Sequence, residues 1–150
     1  MQSFYKASNE HDFFDLLPQD WKDVISPSWH SYSENSSIFL LKDNEQIVAG
    51  GVVFSTCPPD MLYDQAEAGK WFDKGYLYIG FLWVPEKFRN HHYGSGWIRS
   101  LKNKFPSQKF WLTIEDEGLK GFYIKNGFRS VKALQNGPGT EWLMIYDIED

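Results

Sequence analysis

At 150 residues the chain has the length of one domain, and its 42% hydrophobic content suits a globular protein and is too high for disorder. Its formal net charge of −5 argues against general nucleic-acid binding, because phosphate contacts supply most of that affinity. The same charge leaves room for a cationic small molecule.

In chain order, "QSFYKA" reads as a short first strand. From Ser8 to Ile25 the apolar residues Phe13, Phe14, Leu16, Leu17, Trp21, Val24 and Ile25 recur at helical spacing, interrupted at Pro18. "SPSWHSYSENSS" reads as a polar loop with room for one helical turn. A hairpin follows, with "SIFLL" and "IVAGGVVFS" as strands around the turn "KDNEQ". The connection "TCPPDMLYDQAEAGKWFDKG" is too long for a plain turn, so it is functional or holds a short helix of its own.

"YLYIGFLWV" has the β-branched and aromatic content of a buried strand. Trp97, Ile98, Leu101 and Phe105 then fall on one helical face that Pro106 closes. "KFWLTI" is the next strand. Leu119, Phe122 and Tyr123 mark a short helix, and Asn126-Gly127 suits its left-handed C-cap. "RSVKAL" and "EWLMIYDI" are the last strands, on either side of "QNGPGT". The order implies a mixed α+β sheet with helices on its faces. No linker, repeat or low-complexity tract interrupts residues 1–150, so one domain is expected. The start, "MQSFYKASNEHDFFD", has no apolar signal core, and no apolar stretch approaches a bilayer span. With the single cysteine, Cys57, these features point to the cytoplasm, with no membrane or nucleic-acid partner.

The stretch "FRNHHYGSGW", Phe88 to Trp97, leaves the buried strand and enters a helix. Such a loop gathers unpaired N–H groups at a helix N-terminus, which favours an anion, and Arg89 adds a charge shaped for phosphate. The competing reading is a turn whose glycines give only steric relief. A metal site is not expected, because the adjacent His91 and His92 diverge and nothing nearby completes a ligand set.

"LWVPEKFRNHHYGSG" followed by "GFYIKNGF" resembles the GNAT superfamily of acetyl-CoA-dependent N-acetyltransferases. Arg89 and Gly94 match the first and last positions of that family's phosphate-loop pattern, Arg/Gln-x-x-Gly-x-Gly/Ala. Tyr123, with Phe122, Gly127 and Phe128, matches its tyrosine-bearing helix. The resemblance implies a GNAT-like α+β fold, a twisted, mostly antiparallel sheet of about six to seven strands with helices on both faces. It implies acetyl-CoA as donor, its arm beside Leu82, Trp83 and Val84 and its pyrophosphate on the loop of Arg89, Asn90, His91, His92, Tyr93, Gly94 and Ser95. Asp116 and Phe122 would stand near the cofactor. Tyr123 would protonate the departing thiolate, since a phenol stays protonated at neutral pH.

The family's middle loop glycine is His92 here, whose side chain must point away or shift the loop. The strand Tyr76–Phe81 lacks the glutamate that often serves as base, and Glu115 and Asp116 are the nearest acidic candidates, with solvated loop acids as the plainer reading. A bound amine of a small molecule or peptide would attack the thioester directly. Tyr76, Tyr78, Trp71 and Glu115 are the substrate-side candidates. In the segment from Pro58 to Lys74, Tyr63, Trp71 and Phe72 offer an apolar wall, and Asp60, Asp64, Glu67 and Asp73 offer charge for a cationic amine. A solvated loop or a homodimer contact is the other use for it. The rival function is a GNAT-fold sensor that binds acetyl-CoA without transfer, while an aromatic-rich carbohydrate or peptide binder would have no affinity for coenzyme A.

Overall fold

Runs of β-branched and aromatic residues set the strands, and the computed structural model, which describes residues 1–147, joins them in one sheet. The strands are β1 (Gln2–Lys6), β2 (Ser36–Asp43), β3 (Gln46–Phe54), β4 (Tyr76–Trp83), β5 (Lys109–Ile114), β6 (Arg129–Asn136) and β7 (Gly139–Tyr146). Their order is β1-β2-β3-β4-β5-β7-β6, and only the β4–β5 pairing is parallel. The expected last strand ends at Tyr146, and its Ile148 lies outside the described residues.

Local chemistry explains several boundaries. The β2–β3 turn contracts to Asn44 and Glu45, both at positive φ (52° and 67°), as a tight two-residue hairpin requires. Pro18 splits the first helical stretch into α1 (His11–Phe14) and α2 (Gln19–Ile25). The polar segment after it contains α3 (Trp29–Tyr32). The long connection holds a 3-10 turn, Pro59–Asp64, and α4 (Gln65–Asp73), whose N-terminus the Asp64 side chain caps by accepting from the Glu67 N–H. Beyond β4 come α5 (Tyr93–Lys104) and α6 (Lys120–Lys125).

Alternation along the strands gives the sheet two cores. On one face Val52, Phe54, Tyr78 and Trp111 pack with Phe13 and Phe14 of α1, Ile25 of α2 and Trp71 of α4. On the other, Val53, Ile79, Phe110 and Leu112 pack with Trp97, Ile98 and Leu101 of α5 and Tyr123 of α6. Trp97 is fully buried, and its indole donates to the Phe39 carbonyl at 2.9 Å. Gly51 makes room for it, since a Cβ there would lie 2.7 Å from the indole.

The sheet is split in its middle. The β4–β5 ladder pairs Tyr76 with Lys109, Leu77 with Phe110 and Tyr78 with Trp111, and ends there, although both strands continue. Its cause is on the other edge of β4. The β3–β4 register slips between Gly50 and Val52, and Phe81 takes a positive φ of 56°. This bulge bends β4 away from β5 and opens a gap through the sheet.

Candidate active site

A cavity of about 370 Å³ lies where the end of β4, the entry to α5 and the side of α6 meet. Leu82, Val84, Arg89, Asn90, His92, Tyr93, Gly94, Ser95, Phe122 and Tyr123 line it, ten of the residues expected at a donor site. The first hydrogen bond of α5 runs from the Gly96 N–H to the His92 carbonyl at 2.9 Å. The N–H groups of Tyr93, Gly94 and Ser95 therefore precede the helical ladder, and no side chain caps them. They face the place an anion would take, at the positive end of the helix dipole.

His92 explains its own departure from the pattern. It sits at φ 62°, the left-handed region that glycine enters without strain, and Asn90 does the same at 67°. The loop keeps the glycine backbone without the glycine. Gly94 has a separate reason, since a Cβ there would come within 3.1 Å of the Phe122 ring. Arg89 is held by its Nε, which donates to the Val84 carbonyl at 3.1 Å, and its guanidinium stacks 4.6 Å from the Trp83 ring. Its own backbone N–H donates to the Glu86 carbonyl, so the expected row of free donors begins later than Arg89.

Some expected donor residues stand elsewhere. Trp83 turns to the opposite face, against Trp21 at 5.3 Å, and does not line the cavity. His91 does not line the cavity, and its nearest ring is Tyr93 at 6.0 Å. Asp116 lines the second cavity, and its Oδ1 accepts from the Gly118 N–H at 2.8 Å, capping the turn into α6. Lys125 also lines the first cavity and is not among the expected site residues, although it stands in "GFYIKNGF" beside Tyr123.

The second cavity, of about 340 Å³, occupies the gap between β4 and β5. Tyr78, Gly80 and Phe81 form one wall and Leu112 to Asp116 another, with Trp21 and Val24 of α2, Asp60 and Glu141 closing it. It shares Leu82, Leu119 and Tyr123 with the first cavity. Tyr123 is 9% exposed, packed edge-on against Phe122 and Phe128. Burial pushes its phenol well above the usual range, so it stays protonated.

A chain of polar groups crosses the second cavity. Tyr78 donates to Asp60 Oδ2 at 2.7 Å, and its oxygen lies 3.0 Å from Thr113 Oγ1. Burial lifts the Asp60 carboxyl to about 6, despite the Tyr78 hydrogen bond. Glu141, 5% exposed, accepts from Asn136 Nδ2 at 2.9 Å. Its place in this cavity carries no sequence signal, because "EWLMIYDI" reads only as a strand.

Of the substrate-side expectations, Tyr78 and Glu115 line the cavity, and Trp71 and Tyr76 do not. Trp71 packs edge-on against Tyr76 at 5.1 Å and donates its indole N–H to Glu67. The Tyr76 hydroxyl donates to Asp147. Phe72 packs on Trp111, Asp64 caps α4 and Glu67 also pairs with Lys132, so within Pro58–Lys74 only Asp60 reaches the cavity. Trp71 and Phe72 turn to the core because α4 is amphipathic and lays Ala68 and Trp71 on the sheet, while Leu62, Lys70, Asp73 and Lys74 stay exposed. Among the described residues no group of three or more His, Cys, Asp or Glu could hold a metal ion, and no helix is long and apolar enough to cross a membrane.

A family model described as the acetyltransferase (GNAT) family matches residues 2–128. The chain belongs to the GNAT acetyltransferase family. It is accordingly an acyltransferase fold that uses acetyl-CoA. No curated protein matches the sequence. Among solved structures, the ribosomal-protein-S18-alanine N-acetyltransferase from Escherichia coli superposes with a TM-score of 0.70 at 11% identity, over 100% of this chain and 96% of that one. An acetyltransferase from Bacillus subtilis in complex with CoA gives 0.68 at 13%, over 99% and 100%. An aminoglycoside 6'-N-acetyltransferase complexed with coenzyme A gives 0.70 at 15%, over 100% and 98%. At these identities the likeness establishes the fold. The unpaired N–H groups at the start of α5, with Arg89 and Lys125 beside them, fit the diphosphate of such a donor.

Proposed function

We propose that the protein moves the acetyl group of acetyl-CoA to a primary amine of a small molecule or peptide by direct attack. The observation that carries this reading is the junction of two cavities at Tyr123. One has the chemistry of an anion cradle and the other is lined by carboxylates, so a donor and a cationic acceptor can each occupy one and meet at Tyr123. That two of the similar structures are named as N-acetyltransferases agrees with it.

Acetyl-CoA supplies an activated acyl carbon. The chain's residues bind and orient around it. The loop from Asn90 to Ser95 would hold the diphosphate with Arg89 at its rim. The edge of β4 that β5 leaves unpaired, at Leu82 and Trp83, with Val84 after it, would offer backbone groups to the arm and carbonyl. Tyr123 holds a proton at its hydroxyl for the departing sulfur. Burial makes the phenol a weaker acid, but the same desolvation makes a thiolate there a stronger base, so the transfer keeps its driving force. Leu82 and Leu119 line both cavities beside Tyr123. Glu115 and Asp116, exposed at the mouth, give the amine's surplus proton a route to solvent.

The test is free-thiol release from acetyl-CoA by the full chain against a panel of amines. Amine-dependent release with a matching acetylated product is the expected result. Tight acetyl-CoA binding with no release for any amine would favour the sensor reading instead.

A further inference from the structure

The second cavity carries more negative charge than acetyl transfer needs. Asp60, Glu115, Asp116 and Glu141 line it, and among the described residues no Lys, Arg or His does. Asp60 is the most informative of them. Its Oδ2 takes the Tyr78 hydroxyl, while its Oδ1 is buried with no hydrogen-bond partner among the described residues, and of the backbone only the N–H of Asp60 itself acts on the carboxyl. A buried carboxylate oxygen without a donor is costly, and such orphans mark a missing partner. The groups around it do not supply one. Facing Asp60 are Tyr78 of β4, Glu141 of β7, Glu115 after β5, Tyr32 of α3, and Cys57 and Tyr63 of its own connection. The two glutamates have its own sign and add to what burial does to its carboxyl.

The rest of the lining limits what the missing partner can be. Trp21 and Phe81, edge to face at 6.0 Å, and Val24 make a wall without charge. An ammonium at Asp60 joined to a chain of methylenes would satisfy the orphan oxygen at one end and cover the aromatic wall along its length.

We propose that the acceptor is an aliphatic di- or polyamine whose non-reacting ammonium is held by Asp60, with the Glu141 charge behind it, while its other nitrogen stands at Tyr123. This rests on the acetyl-transfer reading and names its substrate class and a specificity-determining residue. It also sets a pH dependence. Binding needs the ionised carboxylate, and Asp60 takes up a proton as pH falls through about 6. The Michaelis constant for a diamine therefore rises below that pH, and a monoamine, which leaves Asp60 uncontacted, lacks this limb.

The experiment compares 1,5-diaminopentane with 1-aminopentane on the full chain at saturating acetyl-CoA. Wild type should show a Michaelis constant about tenfold or more lower for the diamine, the range of a charge-assisted hydrogen bond. Asp60→Asn keeps an acceptor for Tyr78 and removes the charge. It should erase the diamine preference and its acid limb, leaving the constant for acetyl-CoA unchanged. No preference in wild type, or the same preference in Asp60→Asn, overturns the proposal. If neither amine releases thiol, the transfer reading fails for aliphatic amines. Calorimetry of 1,5-diaminopentane on the CoA-loaded chain then decides the Asp60 claim alone. Binding about tenfold weaker in Asp60→Asn upholds it, and equal binding or none overturns it.

Discussion

The two cavities that meet at Tyr123 are built from different materials. The first is chiefly backbone, with free N–H groups at the start of α5, left-handed Asn90 and His92, and the unpaired edge of β4. The second is built from side chains brought together from distant parts of the chain, with Asp60 from a 3-10 turn, Tyr78 from β4 and Glu141 from β7. A backbone site tolerates exchange of most side chains provided the loop keeps its conformation. A site of buried charges depends on each one and strains the fold until its ligand arrives.

Substitutions can break or sharpen this contrast, and the largest effect belongs to neither cavity. Trp71→Ala should cost about 3–5 kcal/mol of stability, as core truncations of Trp do. It should leave the Michaelis constants of the folded protein unchanged, because Trp71 reaches neither cavity. Denaturant unfolding and steady-state kinetics measure both, and a selective loss of amine affinity would return Trp71 to the acceptor wall.

The charge cost of the second cavity should appear as pH-dependent stability. The Asp60 carboxyl is raised in the fold from 3.8 to about 6, so the folded state prefers the protonated acid. Its burden is absent below about pH 4, grows as pH rises, and is complete above about pH 6. Asp60→Asn should therefore stabilise the ligand-free protein above pH 6 by on the order of 2–3 kcal/mol and leave it unchanged at pH 4. A melting temperature lowered at both pH values would show that Asp60 is a structural partner of Tyr78 and nothing more.

In the first cavity the backbone approach is the target. Gly94→Val would press against Phe122 and Val84 and close the cradle. Wild type should gain about 2.7 kcal/mol from acetyl-CoA at a hundredfold excess over its dissociation constant, and the variant should lose most of that gain. The same thermal shift in both would place the donor elsewhere. The smallest effect is at His92, where Gly would relieve the left-handed strain at some cost in chain entropy. His92→Gly should change stability by less than about 1 kcal/mol and leave acetyl-CoA binding in place, since the backbone donors remain. A large loss of binding would make the imidazole itself a phosphate ligand.

The contrast also explains what was legible in the sequence. A strand, an Arg, spaced glycines and a helix lie consecutively, so the loop of the first cavity can be read as one string, and Tyr123 follows it in a second. The hairpin, β4, α5 and β5 followed from residue type, a turn and helical spacing. Glu141 joins Asp60 only because β7 inserts between β5 and β6, and no local pattern announces that. Trp71 and Phe72 misled for the converse reason. In a long charged connection they resemble pocket walls, and only the facing of α4 assigns them to the core. The bulge at Phe81, which opens the gap through the sheet, occupies a run of apolar residues with no break besides Gly80.

The most direct test of the account concerns Tyr123, which unlike the other two residues lining both cavities, Leu82 and Leu119, carries a polar group. Tyr123→Phe keeps the ring packed on Phe122 and Phe128 and removes only the hydroxyl. Single-turnover thiol release with a saturating amine, measured beside the dissociation constant for acetyl-CoA, separates chemistry from binding. The account predicts an unchanged dissociation constant and a rate lower by about a hundredfold, the scale of a lost general acid. A rate equal to wild type would contradict it, and would leave Tyr123 as a core aromatic between two cavities.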